Sequence, residues 1–435
     1  MRRDTISADA AWKKLIEKYD IVNKVATKGV FHIKASEIKE FKEPRLMAKW
    51  DCQAALPSVL KGKKLNILPD SRNSYVLGDF LLYEEIPPLS EPAYKMDYVE
   101  FPSYETIDIN NISSEANAIN VLILSGILDD FLENKGTETV ETFQGRMGTG
   151  EFDFFVDTVR GNKQKVSVRH AQCEIDGGFE NDQEVIILEA KNVVHDDFHV
   201  RQLYYPYRLW KNKVSKPIRL IFSVYTNMIF RLFEYRFENE KDYSSIKLVK
   251  TKNYSLQDTS ITINDLIEVR KDTNAIYSDD QKKYKIPFIQ ANSFERVISL
   301  LENIKGNPMT TDQIAELMDF DKRQSDYYYN AGAYIGLFIK KKEENQMKVF
   351  LTKLGEEVFG LNYKKRQLRF VALILKHQIF ADCFDRIIDS SGDMPDKTFI
   401  TELMRKYNVC NEGQIARRAS SVQGWLKWIF NLSRL

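Results

Sequence analysis

Cysteine is scarce in this sequence, and its spacing excludes the sites that depend on it. The four cysteines are scattered along 435 residues, at Cys52, Cys173, Cys383 and Cys410. They form neither a CxxC pair of the kind that binds zinc nor the ladder of a disulfide-stabilised secreted protein. Long apolar runs are also missing, since stretches such as Ala118–Leu124 are far too short to cross a bilayer. We therefore expect no membrane partner and a location in the reducing cytoplasm.

The sequence has no excess of charge of either sign. Its formal net charge is +1, whereas domains that bind nucleic acid are often strongly basic. Balanced charge does not exclude nucleic acid, because carboxylates at a metal site can offset basic residues on one surface. The basic start, Met1-Arg2-Arg3-Asp4, is not followed by an apolar segment, so we expect no signal peptide.

Low-complexity linkers and internal repeats are missing as well, so domain boundaries must be inferred from changes in the pattern of predicted helices and strands along the chain. A chain of 435 residues is too long for one ordinary core. We predict an N-terminal α+β region at 1–99, an α/β domain at 100–275 and a mainly helical region at 285–435. The first of these opens with a predicted helix at Ala8–Tyr19.

The middle region has the pattern of a mixed central sheet flanked by helices. One helix is expected at Ser113–Glu133 and a crossover helix at Phe198–Trp210. The strand-like segments are Phe152–Val156, Val166–Ile175, Glu184–Ala190, Ile218–Tyr225, Phe230–Phe237 and Ile246–Val249. Strands, a crossover helix and further strands together predict an α/β fold.

Three charged residues in this region form a pattern with chemical meaning. Asp176 precedes Gly177-Gly178, which we interpret as a turn, and Glu189 and Lys191 end an apolar strand. Side chains alternate along a strand, so Glu189 and Lys191 share one face, and a hairpin would bring Asp176 beside Glu189. The Glu and Lys of a Glu-x-Lys triplet commonly lie on the solvent-exposed face of a strand. Here the strand is apolar at consecutive positions, which is typical of a buried central strand. Burying a charge there costs free energy, so charged residues at its end indicate a function.

Two carboxylates separated by a gap suit a hard divalent cation. Mg²⁺ is the natural candidate, because it accepts few protein carboxylates and keeps waters for a phosphate. Such an ion neutralises phosphate charge and lowers the pKa of an attacking water. Lys191 can orient that water or stabilise the charge that develops on the phosphate. The pattern therefore predicts hydrolysis of a phosphodiester with Asp176 and Glu189 as metal ligands.

Asp176, the following hairpin and Glu189-Ala190-Lys191 resemble the PD-(D/E)xK nuclease superfamily, over roughly Asn111–Tyr225. The literal motif has proline where this chain has Ile175. The resemblance implies a Mg²⁺-dependent nuclease fold and matches a helical acidic residue of the family to Glu115. Some relatives carry a supporting glutamine that Gln202 can match, although the spacing differs, and the helix around Gln202 is equally explained by core aromatics and surface arginines. We expect His195 and His199 to be structural or solvent-exposed.

The third region has the element order of a winged helix: two short helices, a longer helix and a basic hairpin. A protein-interaction winged helix would have the same order. Predicted contacts to DNA in this region are Arg323, Gln324, Tyr327 and Asn330 on the recognition helix, Lys341 on the wing, and Arg417 and Arg418 on a last amphipathic helix. Trp425 and Trp428 are expected in the core.

Two further segments are candidates for DNA contact. Arg146 lies in the glycine-rich Gln144–Gly150, which lacks the ending of a phosphate-binding P-loop and is equally explained as an ordinary turn. The N-terminal segment Glu43–Asp51 is similar to segments of Type II restriction endonucleases, which makes Arg45, Lys49 and Arg72 candidates by implication.

These expectations together predict a Type II restriction endonuclease that cuts double-stranded DNA at a specific sequence with Mg²⁺. The resemblance also implies a cognate DNA methyltransferase, not as a stable complex, and allows a homodimer. Two alternatives stay open. One is a repair or structure-selective nuclease, and the other is a non-catalytic regulator that binds DNA through the winged helix.

Overall fold

The computed structural model describes residues 6–96, 104–109, 111–112, 114–134, 136, 138–276, 286–318 and 322–434. The predicted domain boundaries, at 99–100 and 275–285, fall on or beside segments outside these ranges. Within them the protein is a mixed α/β structure with a seven-stranded central sheet and a largely helical C-terminal region. No helix of the described chain is both long and apolar enough to cross a membrane.

The N-terminal region packs short helices on a small antiparallel sheet. Helix α1 begins and ends as predicted, and the Ser7 side chain accepts a hydrogen bond from the Ala10 amide at its start. Trp12 and Leu15 of α1 are fully buried, so this amphipathic helix is held by its apolar face. The helices are α1 (Ala8–Tyr19), α2 (Ile21–Lys28), α3 (Ala35–Lys39), α4 (Arg45–Ala48) and α5 (Ser58–Gly62), and the sheet has the order β1 (Phe31–Lys34), β3 (Ser74–Gly78), β2 (Asn66–Pro69).

The central sheet confirms the predicted mixed topology. Its order is β5-β14-β13-β12-β10-β9-β6, with parallel pairing between β10 and β12 and between β14 and β5 and antiparallel pairing elsewhere. The strands are β5 (Tyr94–Lys95), β6 (Val140–Gly148), β9 (Gln172–Glu180), β10 (Val185–Lys191), β12 (Ile218–Thr226), β13 (Ile229–Phe237) and β14 (Ile246–Ser255). Strand β10 pairs with β9 and β12 inside the sheet, and its consecutive apolar residues are buried because both faces of the sheet are covered.

Two small sheets accompany the central one. Strands β7 (Glu151–Asp157) and β8 (Lys163–Arg169) form a hairpin, and β4 (Tyr83–Glu85) pairs with β11 (Asp197–His199). The second pairing matters for the site, because it ties the N-terminal region to the segment immediately before the crossover helix.

Helices cover both faces of the central sheet. Helices α6 (Glu115–Leu124) and α7 (Ile127–Leu132) pack with Ile186 and Leu188 of β10, whereas α8 (Arg201–Lys211) packs on the opposite face with Ile187. The single helix predicted at Ser113–Glu133 is wrong, because Gly126 has a left-handed conformation with φ of 70° that ends α6. Ser113 itself lies outside the described residues, and Ser114 provides the cap by accepting from the Asn117 amide.

The C-terminal region is built from helices around one small sheet. The helices are α9 (Ile263–Asp272), α10 (Phe294–Ile304), α11 (Thr311–Leu317), α12 (Lys322–Tyr334), α13 (Lys353–Phe359), α14 (Tyr363–Leu375), α15 (Gln378–Asp389), α16 (Lys397–Lys406) and α17 (Glu412–Asn431). The sheet has the order β15 (Met309–Thr310), β17 (Gln346–Leu351), β16 (Phe338–Glu343). Trp425 and Trp428 are buried, which confirms their predicted place in the core.

A buried polar cluster joins this helical region to the central sheet. The β12–β13 turn at Asn227 and Met228 has φ of 51° and 61°, and the Glu302 carboxylate of α10 accepts from the Asn227 amide at 3.0 Å. Arg366 of α14 donates to Glu302 at 3.1 Å, and Gln367 and Asn227 exchange two amide hydrogen bonds. The turn is therefore held by two helices from a distant part of the chain.

Candidate active site

Glu189 and Lys191 lie at the carboxyl end of the central strand β10. The four preceding residues are buried, and Glu189 is itself only 5% exposed. Lys191 Nζ donates to Glu189 Oε1 at 2.7 Å, which places both side chains on one face as their spacing predicted. Burying two charges is costly even when they are paired, so this arrangement needs further compensation from the residues around it.

Asp176 reaches the same place through strand register, not through a glycine turn. In the β9–β10 pairing Gly177 lies opposite Leu188, so the next pair along the ladder would be Asp176 and Glu189. Asp176 Oδ2 accepts from the Ala190 amide at 3.0 Å. The predicted turn at Gly177-Gly178 is wrong, because β9 continues to Glu180. The Phe143 ring and carbonyl of β6 occupy the space where a side chain of residue 178 would lie, which is why glycine stands there.

Glu115 and Gln202 approach the pair from two helices. Glu115 is the first residue of α6, and its Oε1 lies 3.9 Å from Lys191 Nζ. Gln202 is buried in the first turn of α8, and its Nε2 donates to Glu189 Oε1. The Gln202 Oε1 atom is occluded from solvent and accepts no hydrogen bond from the described residues. The structure thus brings all five predicted catalytic residues together.

Electrostatics at this cluster favour an additional cation. Burial raises the pKa of Glu189 to about 8, with Lys191 opposing this shift and Asp176 adding to it. Burial likewise raises the pKa of Glu115, although Lys191 again acts in the opposite direction. The pKa of Lys191 is raised, because its carboxylate neighbours, Glu189 first, outweigh the effect of burial. Because burial disfavours the ionised forms of Glu189 and Glu115, a cation bound beside them would lower both pKa values and keep the carboxylates ionised.

A cavity of about 510 Å³ opens above the cluster. Four residues predicted to contact DNA line it, namely Arg45, Lys49, Arg72 and Arg146. Arg146 belongs to β6, which continues to Gly148 as an irregular edge strand whose register shifts twice. The alternative of an ordinary turn at Arg146 is therefore wrong. Lys49 and Arg146 both face the Glu174 carboxylate, at 3.9 and 3.6 Å. The cavity therefore has an acidic floor and a basic rim.

Two cavity residues were missed by the sequence interpretation. Asp51 follows α4, and Arg201 begins α8 immediately before Gln202. No pattern pointed to Asp51, because its neighbours in space, including Lys191, come from a distant part of the chain. Arg201 was passed over as one of several basic residues around the aromatic run of its helix.

Burial favours the neutral forms of His195 and His199. Burial lowers the pKa of His195, which lines the cavity, to about 4. His199 is 3% exposed, and burial lowers its pKa well below the usual range. Its Nδ1 accepts from the Arg201 amide at 3.2 Å, so His199 is structural as expected.

The site contains oxygen ligands for a cation, but the described side chains do not form a complete set of metal ligands. Among the described residues no three His, Cys, Asp or Glu side chains converge as a metal cluster. Asp176 and Glu189 are the residues that could hold a cation, and the unsatisfied Gln202 Oε1 and Asp51 Oδ1 atoms could accept from its waters. This donor set fits Mg²⁺, which commonly binds through one or two carboxylates and retains its water ligands.

The predicted DNA contacts of the C-terminal region lie on a separate part of the chain. Arg323 is exposed at the start of α12, followed by the partly buried Gln324, Tyr327 and Asn330. Lys341 is exposed on the β16–β17 hairpin, and the exposed Arg417 guanidinium lies 5.6 Å from the Tyr327 ring centre. Arg418 differs, since it is buried and burial lowers its pKa; this conformation does not offer it to DNA.

Three family models match successive parts of the chain, and residues 256–295 lie between the second and the third. They are the domains of unknown function DUF6996 at residues 9–77, DUF6997 at 78–255 and DUF7226 at 296–434. Neither the curated proteins nor the solved structures include a significant match. Asp176, Glu189 and Lys191 lie in the second segment, whereas Arg45, Lys49 and Asp51 lie in the first. The cavity is thus lined by all three segments, each matched by a separate model of unknown function, since Glu316 and Leu317 of the third segment also line it.

Proposed function

We propose that this protein is a Mg²⁺-dependent endonuclease of the PD-(D/E)xK type that cuts double-stranded DNA at a specific sequence, as Type II restriction endonucleases do. The observation that carries the proposal is the convergence of Asp176, Glu189 and Lys191 at the end of a buried central strand. Charges so buried are costly to maintain. A catalytic role gives this cost a reason that a purely structural role lacks.

The chemistry follows from what each side chain can do. Asp176 and Glu189 would hold Mg²⁺, which when bound supplies an activated water and neutralises phosphate charge. Lys191 lies within hydrogen-bond distance of Glu189 and can orient the attacking water or bind the phosphate oxygen. Hydrolysis adds the hydroxyl of water to phosphorus, breaks one phosphorus–oxygen bond to the sugar, and leaves the proton on the departing oxygen. Gln202 would fix the orientation of Glu189 through its amide.

Two features support DNA as the substrate. The basic rim of Arg45, Lys49, Arg72 and Arg146 suits a polyanion that approaches an acidic centre. In the C-terminal region, α11, α12 and the β16–β17 hairpin follow one another in winged-helix order. We propose that α12 contacts bases in the major groove and that Lys341 contacts phosphate.

The decisive experiment is cleavage of plasmid DNA by the full-length protein with Mg²⁺ or with a chelator, followed by sequencing of the ends. Wild type should cut at defined sites only with Mg²⁺. Asp176→Asn should lower the rate by at least about 100-fold. The matched control is Glu180→Gln on the same strand, whose carboxylate pairs with Lys216 away from the cluster. Equal cutting by folded Asp176→Asn and wild type would refute the proposal.

The alternatives predict different results with flap or damaged substrates and in a binding measurement. Preference for flaps or damaged sites would favour a repair nuclease, and sequence-specific binding without any cleavage would favour a regulator. The buried Lys191–Glu189 pair argues against the regulator, because an inert α/β domain gains nothing from it.

A further inference from the structure

The cavity contains three polar side-chain atoms that are buried and unsatisfied, and two of them belong to residues outside the five predicted catalytic ones. Among the described residues, Asp51 Oδ1, Gln202 Oε1 and Arg201 Nε are occluded from solvent and make no hydrogen bond. All three residues line the same cavity. Leaving a buried polar group unpaired costs roughly 1–3 kcal/mol, and unpaired groups are expected where a ligand completes the site.

The position of Asp51 is fixed from both sides. The His199 amide donates to the Asp51 carbonyl at 2.9 Å, and the Gln53 amide donates to the Asp197 carboxylate at 2.7 Å. Both bonds connect the N-terminal region to strand β11, directly before α8. Asp51 is therefore held at the cavity by backbone contacts and is not a mobile surface acid. Despite burial, which raises the pKa of Asp51, the cations around it, led by Lys191, keep that pKa below its ordinary value.

Arg201 is fixed by the same short segment. Its amide donates to His199 Nδ1 at 3.2 Å, so His199 connects the backbones of Asp51 and Arg201. Within the part of the chain that the structure describes, no carboxylate lies within 4.0 Å of the Arg201 guanidinium. The Arg201 guanidinium lies over the Tyr205 ring, 5.9 Å from the ring centre. A half-buried arginine with no carboxylate at ion-pair distance is suited to an anionic ligand.

The unsatisfied set has one donor and two acceptors, which restricts the ligand. A free anion would satisfy Arg201 but not Asp51 or Gln202. A hydrated cation would satisfy the two acceptors but not Arg201. A phosphodiester with a hydrated divalent cation attached presents both kinds of group at once.

We propose that Asp51 and Arg201 complete the active site, with Arg201 binding the scissile phosphate and Asp51 accepting a hydrogen bond from a water of the metal ion. This inference rests on the proposed nuclease function. It makes the N-terminal region a part of the catalytic centre and not only a surface for DNA. Arg201 would stabilise charge that grows on the phosphate oxygens as water attacks.

For Arg201 the test separates turnover from binding. Arg201→Gln should lower the single-turnover cleavage rate at least about 100-fold, whereas affinity for duplex DNA in Ca²⁺ should fall less than about tenfold. Arg201→Lys keeps the charge but loses the planar guanidinium group, so its cleavage rate should lie between those of wild type and Arg201→Gln. The control is Lys211→Gln, exposed at the far end of the same helix, which should behave as wild type. Cleavage by folded Arg201→Gln within twofold of wild type would overturn the assignment.

For Asp51 the readout does not require cleavage. Calorimetric titration of the full-length protein with Mg²⁺ alone should give an affinity about 10–100-fold weaker for Asp51→Asn. Glu85→Gln, an exposed charge removal on the neighbouring strand β4, should leave the affinity unchanged. If the asparagine variant is unstable, Asp51→Glu is titrated in its place and should also bind Mg²⁺ more weakly. Unchanged Mg²⁺ affinity in a folded variant would mean that Asp51 has a structural role only.

Different results would refute the nuclease function and the roles of Asp51 and Arg201. A wild-type protein that binds Mg²⁺ but cuts no DNA would refute the nuclease function, yet the titration would still decide the role of Asp51. A wild type that cuts, together with an inactive Asp176→Asn and a fully active Arg201→Gln, would keep the function and refute the assignment of Arg201.

Discussion

At the scale of single residues, Gly178 illustrates a constraint that is invisible in the sequence. The Gly-Gly pair suggested a turn because glycine is common in turns. In the structure Gly178 instead lies inside β9, where the ring and backbone of Phe143 leave no room for a side chain. Glycine therefore allows the edge strand β6 to approach closely, and the hairpin turn occurs further on, at Asn181–Glu184.

We expect Gly178→Ala to lower the free energy of unfolding by about 1–3 kcal/mol, because the added methyl group forces backbone or Phe143 to move. Urea denaturation followed by circular dichroism measures this change. Gly413→Ala is the matched control, since Gly413 is in the first turn of α17 with open space around it. That variant should be unchanged or stabilised by up to about 1 kcal/mol. Wild-type stability in Gly178→Ala would contradict the packing argument.

Residues of the site differed in how far sequence could predict them. Glu189 and Lys191 follow from the two-residue period of a strand, and their shared face is confirmed by the 2.7 Å contact between them. Asp51 could not be predicted, because its importance arises only when β11 pairs with β4 and brings the N-terminal region against α8. Tertiary pairings of this kind leave no local periodicity in the sequence.

At the scale of elements, local sequence patterns predict whether a segment is a helix or a strand better than they predict where it begins and ends. Helix α1 was predicted to the residue, because Ser7 caps it and apolar residues recur along one face. Residues 363–389 form two helices, α14 and α15, although no proline or glycine separates them. The Lys376 carbonyl accepts from the Ile276 amide at 2.7 Å, so a chain segment about a hundred residues earlier interrupts the helical hydrogen bonding. Only the folded arrangement reveals that competition.

The β12–β13 turn is the element whose stability depends most clearly on distant partners. Glu302→Ala should lower the free energy of unfolding by about 3–5 kcal/mol, because it leaves the Arg366 guanidinium and the Asn227 amide buried without their acceptor. Chemical denaturation measures the loss. The double variant Glu302→Ala, Arg366→Met should recover part of it, since the stranded charge is gone.

An exposed pair provides the contrast. Glu412 pairs with Arg405 at 2.7 Å on the surface, and Glu412→Ala should change stability little. Equal losses in Glu302→Ala and Glu412→Ala would show that burial of the Glu302 pair has no special importance.

At the scale of the whole molecule, we expect cutting and recognition to be separable. Arg323 and Lys341 lie on the C-terminal helical region, in a different segment from the acidic cluster. Arg323→Ala should cost about 1–3 kcal/mol of discrimination between the specific and a random duplex. Lys341→Ala should weaken both duplexes alike and reduce the slope of log affinity against log salt by about one.

Binding for these variants is measured by fluorescence anisotropy in Ca²⁺ over a range of salt concentrations. Lys353→Ala, on the highly exposed first residue of α13, controls for loss of one surface charge. Equal effects of Arg323→Ala on both duplexes would place base recognition elsewhere, with the Arg45, Lys49 and Arg72 rim as the next region to test.

The Glu174 carboxylate, which faces Lys49 and Arg146 across the cavity rim, would change how the proposed binding of DNA responds to ions. These two cations are already partly neutralised by the protein itself. A phosphate that binds them replaces an internal anion and displaces fewer condensed counterions from solution than two free cations would. The salt dependence of binding should therefore be shallower than the number of basic residues at the rim suggests, and a near-neutral protein can hold DNA without behaving as a polycation.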